Sequence, residues 1–363
     1  MLQKTIFLFL FIALFSCAKD NDIEQQPVTT RTVLVYIAAD NNLYQNSLKD
    51  IEEMQSALLP ANVHLLVYLD AANEIFPQIF EIKNGSRTLV KQYEPQNSAS
   101  GEVLQQIIKD VVSIFPAQSY GLILWSHGTG WLPAGMYYEL MQQEKLRSFG
   151  KENDYEMGIV ELENALPFKF DFIIFDACLM SNIETVYQIR NKADIIIASP
   201  TEILVAGFPY TEVVPLLFSN DYAEIAQTYM NYYKSQTGIL QSADIAVINT
   251  KELENLAILL KNNTFTFPTD KSAIQKYDTR ENAVYYDLQD YLEHSVSANY
   301  IVNIKQQIAR TIIYRDHTPY FLNDLPLEKS WGISLFVFPY QSDYLENQYK
   351  MLDWYRDTEL LCR

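Results

Sequence analysis

Short apolar runs, rich in β-branched residues, alternate along this chain with segments of helical periodicity, and this alternation restricts the fold more than any other feature. Each run has the length of a strand buried on both faces. The predicted strands are 32–38, 63–69, 78–82, 121–125, 170–175, 194–198, 244–248 and 332–338. Strands that alternate with helices form βαβ units, so the sequence predicts an α/β fold with a mostly parallel sheet flanked by helices.

Helical segments are predicted between several of these strands. Apolar residues recur at helical spacing across 102–115, and Pro116 ends that segment. Residues 43–59 and 182–190 also have helical character. We expect one main α/β domain over 32–250. A C-terminal helical subdomain over 251–363 follows, and we expect its strand 332–338 to return to the main sheet.

The first sixteen residues have the composition of a targeting segment. Lys4 precedes an apolar run too short to span a membrane comfortably, and the run ends at Cys17. The sequence around Cys17 resembles a bacterial lipoprotein cleavage box, in which the cysteine becomes the lipidated N-terminus. We therefore expect a signal peptide over 1–16, lipid on Cys17 and a polar tether over 17–31. An ordinary secretory signal with an incidental cysteine is the alternative.

These features predict an exported bacterial lipoprotein at the outer membrane or cell surface, held there by its N-terminal lipid. The chain has 45 acidic and 27 basic residues, a formal charge of −18. Such a surface repels phosphate backbones, so a nucleic-acid partner is not expected. The sequence contains no GxGxxG, GxxxxGK, CxxC or HExxH motif, which predicts neither a nucleotide cofactor nor a metal site.

Two residues with suitable catalytic chemistry directly follow predicted strands. His127 comes two residues after strand 121–125, and Cys178 comes three residues after strand 170–175. In open parallel sheets, ligands bind outside the carboxyl ends of the strands. If these strands are neighbours, His127 can stabilise the Cys178 thiolate and then protonate a departing amine. On spacing alone, a buried structural cysteine and a structural histidine remain the commoner alternatives.

The backbone beside these residues can supply further groups. Gly128 lacks a Cβ, so we expect it to let a substrate approach closely. The N–H groups of Gly128 and Cys178 are candidate donors to an oxyanion. The helix predicted over 182–190 follows Cys178, and we expect its N-terminal dipole to favour the thiolate.

The motifs around these residues are Ser126-His127-Gly128 and the run Asp176-Ala177-Cys178-Leu179-Met180-Ser181, and Cys178 follows His127 at a separation of 51 positions. The two motifs resemble those of the clostripain family of cysteine peptidases. Similar family segments occur at 35–43, 198–210 and 331–339, so the resemblance spans nearly the whole mature chain. Phe208 departs from the pattern, since many relatives carry tryptophan there.

The resemblance implies a caspase-like fold and a cysteine endopeptidase that hydrolyses peptide bonds after arginine or lysine. Asp176 is similar to the family residue at the floor of the primary specificity pocket, and Thr201 is implied as a second substrate-binding residue. A helix-capping role for Asp176 is the alternative. Activation by internal cleavage is also implied. Its candidate sites are Lys145, Arg147 and Lys151, in a loop of otherwise polar composition.

Two other functions remain open from the sequence. One is a catalytically idle surface lipoprotein that binds peptide or glycan on the same fold. The other is a non-peptidase hydrolase or transferase, such as a transpeptidase, that uses the same dyad. Both motifs are intact, which favours the enzyme with peptide or protein substrates.

Overall fold

A computed structural model describes residues 29–71, 75–133, 136, 150–152, 155–278 and 283–362. The predicted signal peptide, Cys17, most of the tether, and the candidate cleavage residues Lys145 and Arg147 lie outside these ranges. Of Lys151, only the backbone is described. None of the helices in the described ranges is both long enough and apolar enough to cross a membrane.

The predicted apolar runs form strands whose bounds differ from the predicted ones by a few residues. In chain order the strands are β1 (Arg31–Ala39), β2 (Val63–Ala71), β3 (Ile75–Lys83), β4 (Ser86–Gln92), β5 (Ser119–Trp125), β6 (Lys151–Glu152), β7 (Tyr155–Glu156), β8 (Phe170–Asp176), β9 (Ala193–Ala198), β10 (Asp244–Asn249), β11 (Tyr285–Asp287), β12 (Ile312–His317), β13 (Tyr320–Phe321), β14 (Leu325–Pro326) and β15 (Ser334–Phe336).

Nine of these strands form one sheet in the order β12-β10-β9-β8-β5-β1-β2-β3-β4. The five central strands β2, β1, β5, β8 and β9 run parallel to one another. Antiparallel strands extend both edges, with β3 and β4 on one side and β10 and β12 on the other. The parallel centre places the carboxyl ends of β1, β5 and β8 side by side, as predicted for a mostly parallel sheet.

Helices cover both faces of this sheet. They are α1 (Tyr44–Ser56), α2 (Gly101–Ile114), α3 (Ile159–Ala165), α4 (Ile183–Gln188), α5 (Tyr210–Val213), α6 (Tyr222–Ser235), α7 (Leu253–Lys261), α8 (Leu288–Glu293), α9 (Ala298–Thr311), α10 (Asp343–Lys350) and α11 (Asp353–Thr358). Alternate residues of β1 enter two separate cores: Val33, Val35 and Ile37 face α1, α5 and α6, whereas Leu34 and Tyr36 face α2, α3 and α4.

The C-terminal segment differs from the prediction in two ways. The expectation that 332–338 returns to the main sheet is wrong, because β15 pairs with β11 in a separate two-stranded sheet. Its apolar residues are buried in the core that the C-terminal helices share. The C-terminal segment instead contributes β12 as the edge strand beside β10.

Arg31, which the sequence analysis assigned to the tether, is the buried first residue of β1 and contacts Asp171 at 2.7 Å.

Candidate active site

The ends of two adjacent strands bring His127 and Cys178 to the same edge of the sheet. Strands β5 and β8 pair in parallel, with Trp125 opposite Asp176. His127 and Cys178 therefore each lie two residues beyond a pair of facing residues. Both line one cavity of about 390 Å³, together with Asp176. The two strands are neighbours, which is the condition that the sequence required for this thiol and imidazole to meet.

The imidazole of His127 is oriented by a residue that follows the next strand. Its Nε2 lies 2.9 Å from Oδ1 of Asn42, just beyond the end of β1. An amide oxygen only accepts hydrogen bonds, so Nε2 donates and the acceptor nitrogen of the neutral ring is Nδ1. The His127 carbonyl accepts a hydrogen bond from the Gly150 N–H at 3.2 Å. The strand end, Asn42 and Gly150 together determine where the imidazole lies.

The backbone after Cys178 makes a sharp turn. Leu179 has φ of +63°, a left-handed conformation that costs a non-glycine residue free energy and is concentrated at functional sites. The Leu179 N–H donates to the Thr201 carbonyl at 2.9 Å, and this bond holds the turn. The next helix, α4, begins only at Ile183 and has Asn182 as its N-cap. The predicted dipole effect on Cys178 is therefore not supported, because the thiol is not at the helix end.

The absence of a side chain at Gly128 allows a close contact with the Cys178 backbone. A Cβ at this position would lie 2.5 Å from the Cys178 carbonyl oxygen and 3.1 Å from the Cys178 nitrogen. The missing side chain therefore makes room for the Cys178 backbone, and the expected close approach of a substrate to Gly128 stays a prediction. This close packing also holds the turn after β5 against the nucleophile's own peptide.

The thiol of Cys178 is half-buried, and its surroundings oppose ionisation. Burial raises the pKa of Cys178 to about 12, and the nearby carboxylates of Glu202 and Asp176 add to this effect. The Ile203 N–H donates to Sγ at 3.3 Å and lowers the pKa in part. In this arrangement the thiol is protonated at neutral pH, so a base must remove its proton before it can attack a carbonyl.

Asp176 lies at the buried end of the cavity, with 5% of its surface exposed. Its Oδ2 accepts hydrogen bonds from the Tyr210 hydroxyl at 2.8 Å and from the Phe208 N–H at 3.3 Å. Burial raises the pKa of Asp176 to about 6, although both hydrogen bonds lower it. The helix that follows is capped by Asn182, so the structure does not support the capping alternative for Asp176.

A second buried carboxyl group, that of Asp50, lies close to Asp176. Oδ2 of Asp50, on α1, accepts a hydrogen bond from the Trp125 indole at 2.7 Å. Burial and the charge of Asp176 raise the pKa of Asp50 to about 8. Both carboxyl groups lie within 3.4 Å of the place that a Cβ on Gly207 would take. Only a glycine, with φ of +59°, leaves room for them there.

Thr201 is buried beside the backbone turn that follows Cys178. Its side chain is fully buried, and its hydroxyl bonds to the Ser199 hydroxyl and the Glu202 carbonyl at 3.0 Å each. It is not among the described residues that line the cavity, whereas its neighbour Glu202 is. The contact between Thr201 and substrate stays a prediction, and in the described residues the Thr201 carbonyl accepts the hydrogen bond from the Leu179 N–H.

Three residues that contact the site were not predicted from the sequence, namely Asn42, Asp50 and Tyr210. Asn42 follows β1, the neighbour of β5, so the rule that located His127 could also have located Asn42. Asp50 and Tyr210 lie on helices, and only tertiary packing brings them to Asp176. Within the described ranges, no group of three or more His, Cys, Asp or Glu residues is placed to hold a metal ion.

Comparisons with known proteins place this chain among related sequences and structures. A family profile described as the clostripain family matches residues 35–325. Clostripain from Hathewaya histolytica is 26% identical over an alignment of 240 positions, and the match covers 54% of this chain and 45% of that protein. This chain therefore aligns with about half the length of that curated relative.

Two solved structures are similar over nearly the whole of both chains. An inactive zymogen of a C11 protease from Parabacteroides distasonis is 34% identical, with a TM-score of 0.78. The match covers 92% of this chain and 99% of that one. A secreted C11 cysteine protease from Bacteroides thetaiotaomicron, solved with an irreversible peptide inhibitor, is 31% identical, with a TM-score of 0.78 and coverage of 91% and 99%. These likenesses confirm the predicted caspase-like α/β fold class.

Proposed function

Because this chain belongs to the clostripain family of cysteine peptidases, we propose that it is an endopeptidase that cleaves after arginine or lysine. Cys178 is the nucleophile and His127 is the acid and base. The placement of both residues at the ends of adjacent parallel strands, in one cavity with Asp176, supports this activity most directly.

Catalysis begins when His127 takes the proton of the Cys178 thiol, which has little tendency to ionise alone. The thiolate attacks the substrate carbonyl, and the N–H groups of Gly128 and Cys178 donate to the oxyanion. His127 then returns the proton to the departing amine, which leaves a thioester on Cys178. Water, deprotonated by the same imidazole, hydrolyses the thioester and restores the thiol. Close packing between Gly128 and the Cys178 nitrogen supports a shared oxyanion site.

Asp176 selects the basic side chain. Its carboxylate lies at the buried end of the cavity, where little water competes for a guanidinium or ammonium group. A neutral side chain in that position leaves the carboxylate desolvated without a cation, which is costly. One acid can therefore impose a strong preference for arginine or lysine.

Activation by internal cleavage and export as a lipoprotein belong to the same proposal. One relative is described as an inactive zymogen, and another as secreted. Gly150, which directly precedes Lys151, holds the His127 carbonyl, so a cut near Lys145, Arg147 or Lys151 can change the position of the imidazole. Cys17 carries the lipid that attaches the mature protein to the membrane.

The activity is tested by incubating the purified chain from residue 18 onward with arginine-, lysine-, aspartate- and asparagine-linked fluorogenic peptides. Cys178→Ala is the matched control. We expect cleavage after arginine or lysine by the wild-type protein and none by the variant. Binding of peptide without turnover would instead favour an idle surface lipoprotein. Intact mass identifies processing: a fully active preparation that contains only uncut chain would contradict activation by cleavage.

A further inference from the structure

The cavity that holds Cys178 has two chemically different parts. Its deep end is closed by buried residues, namely Trp125, Asp176, Gly207 and Tyr233. Its outer part is lined by apolar side chains that remain exposed, chiefly Val205, Tyr232 and Leu240. The exposed fractions of Val205 and Leu240 are 67% and 56%. The carboxyl group and the apolar wall therefore belong to one continuous space beside the thiol.

The apolar wall is held in place by its backbone. Residues 203–206 have the sequence Ile-Leu-Val-Ala. They lie in the loop after β9, beside Cys178. The Gly207 N–H donates to the Leu204 carbonyl at 2.8 Å, and the Asn46 amide donates to the Val205 carbonyl at 3.3 Å. On the other side, the Tyr233 hydroxyl donates to the Gly207 carbonyl at 2.8 Å. These bonds keep the Val205 side chain directed outward on an ordered loop.

Exposed apolar side chains are grouped beside the Cys178 thiol, on a chain whose formal charge is −18. Contiguous apolar surface of this kind marks places where another molecule binds. A basic residue that reaches Asp176 fills the deep end with its stem and its charged head. The outer wall then remains open to the next side chain of the same peptide.

We propose that the peptides this chain cleaves carry a large apolar side chain directly beside the basic residue, and that Leu240 and Val205 bind it. This inference rests on the proposed endopeptidase function and names its substrate class more closely. Burial of a leucine-sized side chain against this wall removes apolar surface from water on both partners. The expected gain over a serine in the same position is about tenfold in kcat/KM.

The test uses internally quenched peptides with arginine at the cleavage site and either leucine or serine beside it. One series varies the residue before arginine and a second varies the residue after it, so the result also identifies the side of the scissile bond. Three proteins are compared: wild type, Leu240→Ser and Ile239→Ser. Ile239 is the matched control, because it is 54% exposed in the same short helix, Gly238–Leu240, and lies outside the described cavity lining.

In one of the two series, we expect wild type and Ile239→Ser to favour leucine by about tenfold, and Leu240→Ser to lose most of that preference. Equal cleavage of leucine and serine peptides by wild type in both series would overturn the inference while leaving the peptidase intact. An equal loss on every peptide by Leu240→Ser would also overturn it, since the wall would then hold only the arginine stem. Failure to cleave any arginine peptide would refute the proposed function itself.

Discussion

The hydroxyl of Tyr210 donates a hydrogen bond to Oδ2 of Asp176 over 2.8 Å, at the buried end of the cavity that holds Cys178. Tyr210 begins helix α5, and its backbone N–H donates to Glu53 of α1 at 2.9 Å. Asp176, the proposed specificity acid, is thus held by a helix that is itself attached to another helix. This arrangement makes Asp176 a fixed acceptor, which is what selection of a cationic side chain requires.

Asp176→Asn should reduce cleavage after arginine by roughly a hundredfold and cleavage after a neutral residue far less, because only the arginine complex loses a buried ion pair.

The raised pKa of Asp176 also has a consequence for stability. The folded state binds this proton more tightly than the unfolded state, so the stability contribution is present below pH 4 and is lost as pH rises through about 6. At pH 8 the variant should therefore be no less stable than wild type in urea unfolding. An Asp176→Asn protein that keeps its preference for arginine would contradict the assignment of Asp176 as the residue that selects the basic side chain.

The preference for arginine should depend on pH. The pKa of Asp176 is about 6, so the carboxylate is ionised at pH 8 and mostly protonated at pH 5. The ratio of kcat/KM for arginine and neutral peptides should fall about tenfold across this interval, since kcat/KM reports the free enzyme. Using the ratio cancels any change in the catalytic groups, because both substrates depend on them equally. In Asp176→Asn the component with a midpoint near pH 6 should be lost, and the pH dependence that remains should come from the neighbouring Asp50, whose pKa is also raised. A pH-independent ratio in wild type would rule out Asp176 as the selecting group.

Glu202→Gln should make Cys178 more reactive toward iodoacetamide. The Glu202 carboxylate raises the pKa of the thiol, so its removal lowers that pKa and increases the thiolate fraction at pH 8. Glu202 is only partly buried, so solvent screening limits the expected acceleration to severalfold. The rate is measured from the labelled Cys178 peptide by mass spectrometry, with Glu212→Gln, an exposed glutamate on α5, as the control. Unchanged or slower labelling in Glu202→Gln would contradict this electrostatic account.

Cys17→Ala should release the protein from membranes. A single acyl chain binds a bilayer only weakly, so stable attachment needs the several chains that a lipoprotein cysteine carries. Fractionation of the producing cells, followed by detergent phase separation, should find wild type in the detergent phase and the variant in the aqueous phase. Equal retention of both proteins in the membrane fraction would exclude lipid on Cys17 as the anchor.

The sequence predicted the centre of the fold well because strands buried on both faces have an unambiguous composition. Strand β8, predicted at 170–175, is observed as Phe170–Asp176. The same rule that places ligands beyond parallel strands identified His127 and Cys178 together. Edge strands were harder to identify: β12 is only partly buried and contains Arg315 and Asp316, so its composition does not distinguish it from a loop.

Contacts between distant segments could not be predicted from the sequence. The apolar composition of 332–338 correctly indicated burial, but composition does not say which strand is its partner, and β15 pairs with β11. Asp50 and Gly207 meet at Asp176 only after α1 and the loop before α5 have packed. The contact between Gly128 and the Cys178 backbone was not predicted for the same reason, since that peptide group lies 50 residues later in the chain.

Cys178 is proposed to attack the carbonyl of a basic residue. Incubation with an arginine acyloxymethyl ketone tests it most directly, because the attacking thiolate displaces the carboxylate and leaves a stable thioether. Intact mass followed by peptide mapping should show one inhibitor per chain, attached at Cys178. The adduct should be absent in Cys178→Ala and should form much more slowly in His127→Ala and Asp176→Asn. A wild-type protein that cleaves arginine peptides yet carries the label on another residue, or a Cys178→Ala variant that still cleaves them, would contradict the account.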